Sequence, residues 1–146
     1  MAVVVFNDRL SVLRQGTEAA IERAAEIIGG MIESNAKAEV TAKVYDAPET
    51  WYVRTGNLRN GIGYKVENKD TVIAGASAYY APFVELGTGV HASDGQGRKT
   101  GWSYQDSGGN WHWTSGMRPR PFIRPAFEQH TDEYKDVLIQ ELKKIT

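Results

Sequence analysis

The chain has 146 residues, no cysteine and a formal net charge of −1, with 41% hydrophobic and 24% charged residues. This composition is typical of one soluble globular domain, so we expect residues 1–146 to form a single domain. The lack of cysteine excludes disulfides, a thiol nucleophile and thiolate metal ligands. No stretch reaches the roughly 18 apolar residues of a membrane span, and the first six residues are too short for a signal peptide, so we expect a chain that is neither exported nor membrane-spanning.

The charge is unevenly distributed along the chain. Residues 98–124 contain five basic residues and one acid, a balance of +4, which leaves −5 for the rest. This segment also holds three of the four tryptophans, and residues 87–116 contain eight of the fifteen glycines. A basic, tryptophan-rich and glycine-rich segment in a nearly neutral chain indicates a local binding surface rather than a surface that is basic throughout.

Apolar residues recur at helical spacing from Asp8 to about Ala38, which predicts a long first helix capped by Asn7 or Asp8. Gly29 and Gly30 weaken this helix and allow it to bend or end there. Three glutamates four residues apart predict a solvated face, with an acidic contact surface as the alternative. The apolar positions are Leu10, Leu13, Ala20, Ile21, Ala24, Ile27, Ile28 and Met31, and the glutamates are Glu18, Glu22 and Glu26.

The middle of the chain predicts a loop, a hairpin and a short helix. Residues 47–50 break the helical pattern, and residues 54–57 have the composition of a tight turn. Alternating residues on either side of Asn68-Lys69-Asp70 predict a β-hairpin over 62–67 and 71–76. Residues 79–86 suit either a helical turn or a buried strand, and we favour the short helix.

The last third predicts a second hairpin and a final helix. Aromatic residues alternate with polar ones at 102–104 and 111–113 around a glycine-rich turn, which predicts a hairpin that extends beyond the core sheet. Three Arg-Pro pairs then favour extended backbone, and Pro125 suits the first position of the final helix. The predicted buried face of that helix is Phe127, Tyr134, Val137, Leu138, Leu142 and Ile145.

This element order predicts an α+β fold. A long N-terminal helix and a C-terminal helix pack on an antiparallel β-sheet, and a tryptophan-rich β-hairpin projects from it. Residues 88–118 form an inserted loop and hairpin arm within the single domain.

Residue patterns that would indicate catalysis or cofactor binding are missing from the sequence. Residues 95–100 superficially resemble a phosphate-binding loop, but the glycine spacing is wrong and no helix opens after Lys99-Thr100. His91, His112 and His130 form no ligand pair, and neither a nucleophile elbow nor an acid–base pair stands out. We therefore expect that the protein is not an enzyme and that it has no catalytic residues, no metal site and no cofactor.

The aromatic and basic residues of the arm fit two kinds of partner. Rings that stack on bases and arginines that hold phosphates bind single-stranded nucleic acid. The same residue types are enriched at protein interfaces, and a two-stranded arm cannot bury its own wide apolar faces. The near-neutral charge favours the protein interface, and a small nucleic-acid-binding module using residues 98–124 is the alternative. The residues concerned are Trp102, Tyr104, Trp111, Trp113, Arg118 and Arg120.

Four motifs occur in a fixed order and cover most of the chain. Together they resemble the gene-product-ten family of phage HK97, with Gly61 where many members have serine. The tryptophan-rich insertion after Gly87-Thr88 resembles a longer branch of that family. The motifs are Ala47-Pro48, Arg54-Thr55-Gly56-Asn57-Leu58-Arg59-Asn60-Gly61-Ile62, Tyr80-Ala81-Pro82-Phe83-Val84-Glu85-Leu86-Gly87-Thr88 and Pro121-Phe122-Ile123-Arg124-Pro125-Ala126-Phe127.

The resemblance implies a structural virion protein of a tailed phage or prophage. Such a protein would form a ring in the neck, for example a hexamer, that joins head and tail or completes the tail. Its partners would be further copies of itself, the head-completion or connector protein, and the tail-terminator or tail-tube proteins. Phage DNA would pass through the lumen without sequence readout. The resemblance also implies a place in the virion neck or tail, assembly in the host bacterial cytoplasm and no catalytic activity.

The motif residues carry structural expectations of their own. Gly56 is expected to have a positive φ, whereas Leu58 and Ile62 are expected to lie in the core. Phe122 and Phe127 are expected to anchor the last helix.

Glu85 lies between two apolar residues of the third motif. We expect its carboxylate to pair with Arg59 or Arg124 at or near a subunit contact. Glu85 and Arg124 therefore join the candidate interface residues.

Overall fold

A computed structural model describes the backbone of residues 2–45 and 56–145 and the side chains from Val12 onward. The first helix, α1, spans Ala2–Val40 and continues into a π-helical turn at Thr41–Tyr45. At about 1.5 Å per residue it is about 58 Å long. It begins upstream of the predicted cap because the apolar run before Asn7 contains no proline or glycine that would stop it. The predicted breaks at residues 47–50 and 54–55 lie outside the described residues.

Gly29 and Gly30 do not interrupt α1. A Cβ at position 29 would collide with the ring of Tyr64, so the glycine lets the helix lie against the first strand. The Tyr64 hydroxyl donates a hydrogen bond to Glu26 at 3.1 Å, and this bond raises the pKa of Tyr64. The expected weakness at Gly29 is therefore offset by tertiary packing.

The middle elements agree with their predictions. A short helix, α2, spans Asn57–Asn60 after Gly56, whose φ is 79°. Strands β1 (Ile62–Glu67) and β2 (Thr71–Ala76) pair antiparallel, with Ile62 opposite Ala76. The next helix, α3, spans Ala81–Leu86.

The predicted final helix is two helices. Helix α4 spans Ile123–Glu128 and α5 spans Thr131–Lys143, and Pro125 is the third residue of α4 rather than the first of a longer helix. The helical spacing that grouped Phe127 with Tyr134 does not continue across the break. Phe127 is consequently 37% exposed, whereas Tyr134 is buried.

The core lies where α1 meets the first hairpin, α4 and α5. Small residues on α1 let these elements approach closely, since Ala20, Ala24 and Ala36 are at most 1% exposed. Leu58 and Ile62 are buried, as predicted. Leu13 and Ile27, two of the apolar positions at helical spacing on α1, are exposed. The largest fully buried side chains are Phe122, Ile32, Leu58 and Val40.

A buried carboxylate fastens α5 to α1. Glu141 is 4% exposed and binds Arg23 Nε at 3.0 Å and Lys144 Nζ at 2.6 Å. The hydrogen bond from Lys144, and to a smaller extent that from Arg23, lowers the pKa of Glu141. By contrast, Glu18, Glu22 and Glu26 are exposed, which confirms the predicted solvated face of α1.

Candidate interaction surface

The second hairpin forms a two-stranded sheet of its own. Strands β3 (Trp102–Gln105) and β4 (Trp111–Thr114) pair antiparallel. Residues directly opposite each other share a face of the sheet. The hairpin therefore has an inner face of Trp102, Tyr104, His112 and Thr114, and an outer face of Ser103, Gln105, Trp111 and Trp113.

The tip of this hairpin is organised by Asp106. Its Oδ1 accepts backbone N–H groups from Gly108 and Asn110, both at 2.9 Å, and its Oδ2 lies 2.8 Å from His112 Nε2. The hydrogen bond with His112, supported by the backbone donors, lowers the pKa of Asp106 to about 2. The His112 ring also stacks on Tyr104 with centroids 5.4 Å apart. The tip is thus a closed hydrogen-bonded turn at neutral pH.

The base of the hairpin is hydrogen-bonded to the segment after α3. The N–H of Thr88 donates to the carbonyl of Met117 at 2.9 Å, and the N–H of Met117 donates to Thr88 Oγ1 at 2.8 Å. Gly116 has a φ of 123°, and a Cβ there would collide with the Thr88 carbonyl. The N–H of Arg120 donates to the carbonyl oxygen of Val84 at 2.8 Å. The arm is therefore fixed at its base to α3 and the residues that follow.

Glu85 has a different role from the one expected. Its carboxylate accepts the backbone N–H groups of Phe122 at 2.7 Å, Ile123 at 3.0 Å and Arg124 at 2.9 Å. Pro125 has no N–H, so Glu85 satisfies the free donors at the start of α4. Within the described part of the chain Glu85 forms no ion pair with Arg59 or Arg124, because backbone donors occupy its carboxylate and Arg124 pairs with Glu128 at 3.0 Å. Its place at a subunit contact stays a prediction.

A groove of about 760 Å³ lies between the end of α1, α3 and the inner face of the hairpin. Apolar and aromatic side chains form most of its wall, and Arg118 and Arg120 also line it. Tyr79 and Phe83 also line the groove, and most of each side chain remains exposed, 88% for Tyr79 and 55% for Phe83. Its main aromatic and apolar residues are Tyr45, Tyr79, Tyr80, Phe83, Trp102, Tyr104 and Met117.

The structure divides the predicted interface residues into separate groups. Trp102, Tyr104, Arg118 and Arg120 line the groove. Trp111 and Trp113 lie on the outer face and are 70% and 71% exposed. Glu85 and Arg124 belong to the start of α4 rather than to either surface.

Sequence reasoning missed Tyr79 and Phe83 as surface residues. Helical spacing over 79–86 places these two side chains on one face and Tyr80 with Val84 on the other. Since Val84 is buried and Phe83 is exposed, the spacing itself contained the signal.

Residues 5–87, more than half of the chain, match the family model described as "Bacteriophage HK97-gp10, putative tail-component". The chain belongs to the HK97-gp10-like family. The match confirms the resemblance seen in the sequence motifs. In this HK97-gp10-like protein the matched range runs from α1 through α3 and ends at Gly87, directly before the arm. No curated protein and no solved structure gives a significant match.

Metal binding and membrane insertion find no support among the described residues of this HK97-gp10-like protein. Among the described side chains, those of residues 12–45 and 56–145, no group of three or more histidine, aspartate or glutamate residues is arranged to hold a metal ion. Within the same ranges, no helix is both long enough and apolar enough to cross a membrane. The exposed aromatic residues of the arm and the groove form the candidate interaction site.

Proposed function

We propose that this HK97-gp10-like protein is a structural component of the neck of a tailed phage or prophage. Copies of the chain form a ring, such as a hexamer, that joins the head to the tail or completes the tail. The ring contacts the head-completion or connector protein on one side and tail-terminator or tail-tube proteins on the other. Phage DNA passes through its lumen without sequence readout. The whole chain acts as one domain, with residues 88–118 as an inserted arm.

The observation that carries this proposal is the exposed aromatic surface on a member of a tail-component family. Tyr79, Trp111 and Trp113 are each at least 70% exposed. Trp111 and Trp113 lie together on the outer face of the hairpin and Tyr79 lies at the groove, and exposed apolar clusters of this kind mark interaction sites. Tryptophan, tyrosine and arginine also dominate the energetic centres of protein interfaces. A protein built for assembly accounts for these residues, since its partners cover them.

Imaging and genetic complementation test the proposal. Negative-stain images of the purified full-length chain, alone and with isolated tails, are expected to show rings seated on the head-proximal end of the tail. A phage lacking this protein is expected to accumulate full heads and finished tails that do not join, and wild-type protein supplied in trans is expected to restore joining. Normal virions made without the protein would overturn the proposed role.

Nucleic-acid binding is a second candidate because Arg118 and Arg120 line the same groove as Trp102 and Tyr104. Rings and arginines in one groove suit a single strand. This candidate predicts binding of single-stranded DNA that weakens steeply with salt and is reduced by Arg118→Ala. Lack of binding at low salt would exclude it.

A further inference from the structure

The outer face of the hairpin and the groove behind its inner face lie on opposite sides of one short sheet. Trp111 and Trp113 belong to the outer face, whereas Trp102 and Tyr104 line the groove. Since the base of the hairpin is hydrogen-bonded to the segment after α3, the outer tryptophans cannot turn round into the groove of their own chain. Contact between these two surfaces requires a second copy.

We propose that Trp111 and Trp113 of one copy dock into the groove of the next copy, against Tyr79 and Phe83. This inference rests on the proposed ring and specifies the contact that builds it. A pair of different surfaces on one chain makes a head-to-tail contact, which closes into a ring when the rotation between copies permits. A two-fold dimer would instead bury the same surface on both copies.

The sizes of the two surfaces agree with this arrangement. The groove of about 760 Å³ has the dimensions of a pocket that encloses a drug-sized molecule, and it can take two indole groups. A buried aromatic side chain covers about 150–250 Å². The exposed parts of these four aromatic residues therefore supply roughly a third of the ~1,600 Å² of a standard interface. That is the share expected of an energetic centre surrounded by weaker contacts.

Charge at the groove adds to this complementarity. Arg118 is exposed and lines the groove. A guanidinium group over an indole ring is favourable, and Arg98 already lies 5.6 Å from the ring centroid of Trp102 in the same chain. Arg118 can make the equivalent contact with an incoming tryptophan.

Cysteine crosslinking tests the proposal directly, because the natural chain has no cysteine. Ser103→Cys places a thiol on the outer face opposite Trp113 and keeps both tryptophans, and Tyr79→Cys places one at the groove. The two full-length single variants are mixed, assembled into rings and treated with a short bis-maleimide. Glu18→Cys, on the exposed acidic face of α1, is the matched control partner for each variant.

The expected result is a crosslinked dimer in the mixture of Ser103→Cys and Tyr79→Cys, and none in either control mixture. The double variant is expected to give a ladder that ends at the subunit number of the ring. Dimers of Ser103→Cys with itself, crosslinks only to another virion protein, or uncrosslinked rings would each overturn the docking proposal and leave the neck function standing. Chains that form no rings, alone or on tails, and that are absent from the virion neck would overturn both.

Discussion

The carboxylate of Glu85 accepts the backbone N–H of Phe122 at 2.7 Å, and Phe122 is the largest fully buried side chain of the described residues. Two motifs that are distant in sequence thus meet in one hydrogen-bonded cap. The third motif supplies the acceptor, and the fourth supplies the donors and the core anchor.

Replacing Glu85 by alanine leaves three backbone donors without an acceptor. We expect a loss of about 2–3 kcal/mol in the free energy of unfolding, because hydrogen bonds to a charged group are among the stronger ones. The melting temperature should fall by about 5–10 °C, measured by calorimetry. Glu85→Gln keeps one acceptor oxygen and should lose less. Glu128→Gln, which removes only an exposed ion pair, should change stability by less than about 0.5 kcal/mol. An unchanged melting temperature for Glu85→Ala would refute the capping role.

Gly29 and Gly30 provide a matched pair in one helix. Gly29→Ala should destabilise the protein by about 1–3 kcal/mol, because its Cβ would collide with Tyr64. Gly30→Ala meets no atom within 4 Å and should stabilise the protein by about 0.5–1 kcal/mol through helix propensity. Urea denaturation of both variants measures the difference. Equal effects would show that Tyr64 does not pack on α1 as described.

Glu141 should make stability depend on acid pH. Its pKa is lowered in the folded chain, so its contribution is present above the ordinary value near 4.5 and is lost as the pH falls through the lowered folded value. The difference in urea midpoint between wild type and Glu141→Gln should therefore be largest at neutral pH and shrink as the pH falls below the ordinary value near 4.5. Glu18→Gln, which alters an exposed pair, should show little difference at any pH.

Asp106 should keep the turn at the tip of the hairpin formed at acid pH, down to about pH 2. With a folded pKa of about 2, its stabilising effect persists below the ordinary value of 3.8 and disappears only near pH 2. The backbone amides of Gly108 and Asn110 bind this carboxylate, so their NMR shifts should titrate together with a midpoint near 2. A midpoint near 4 would show that the turn is open in solution.

Substitutions of the exposed Trp111 and Trp113 should affect assembly, whereas substitution of the buried Phe122 should affect folding. Trp111→Ala and Trp113→Ala, at positions 70% and 71% exposed, should leave the melting temperature nearly unchanged but abolish head–tail joining when combined. Phe122→Ala should cost about 3–5 kcal/mol, because its side chain is fully buried. Wild-type joining by the folded double tryptophan variant would contradict a role for the arm in assembly.

Local pattern was sufficient to predict most elements of this fold. Alternation around Asn68-Lys69-Asp70 predicted the first hairpin, and the aromatic alternation at 102–104 and 111–113 predicted the second. The break between α4 and α5 was missed because residues 126–145 contain neither glycine nor proline to mark it. Tertiary contacts determine such a boundary, and the sequence does not display them.

The candidate site was predictable in its residue types but not in its arrangement. Composition identified Trp102, Tyr104, Trp111 and Trp113 as one group, whereas strand register separates them into two faces. The partner of Glu85 was missed because its acceptors meet backbone donors 37–39 residues away, and backbone groups leave no signature in a sequence.

The cap at Glu85 also has a mechanical consequence. The arm is tied at its base to the segment directly after α3, and α3 is tied through Glu85 to α4, which packs on α1. Tension applied to the arm is therefore passed through short hydrogen bonds into the longest helix of the protein. A pull on the arm would therefore load the helical core rather than stretch a loop.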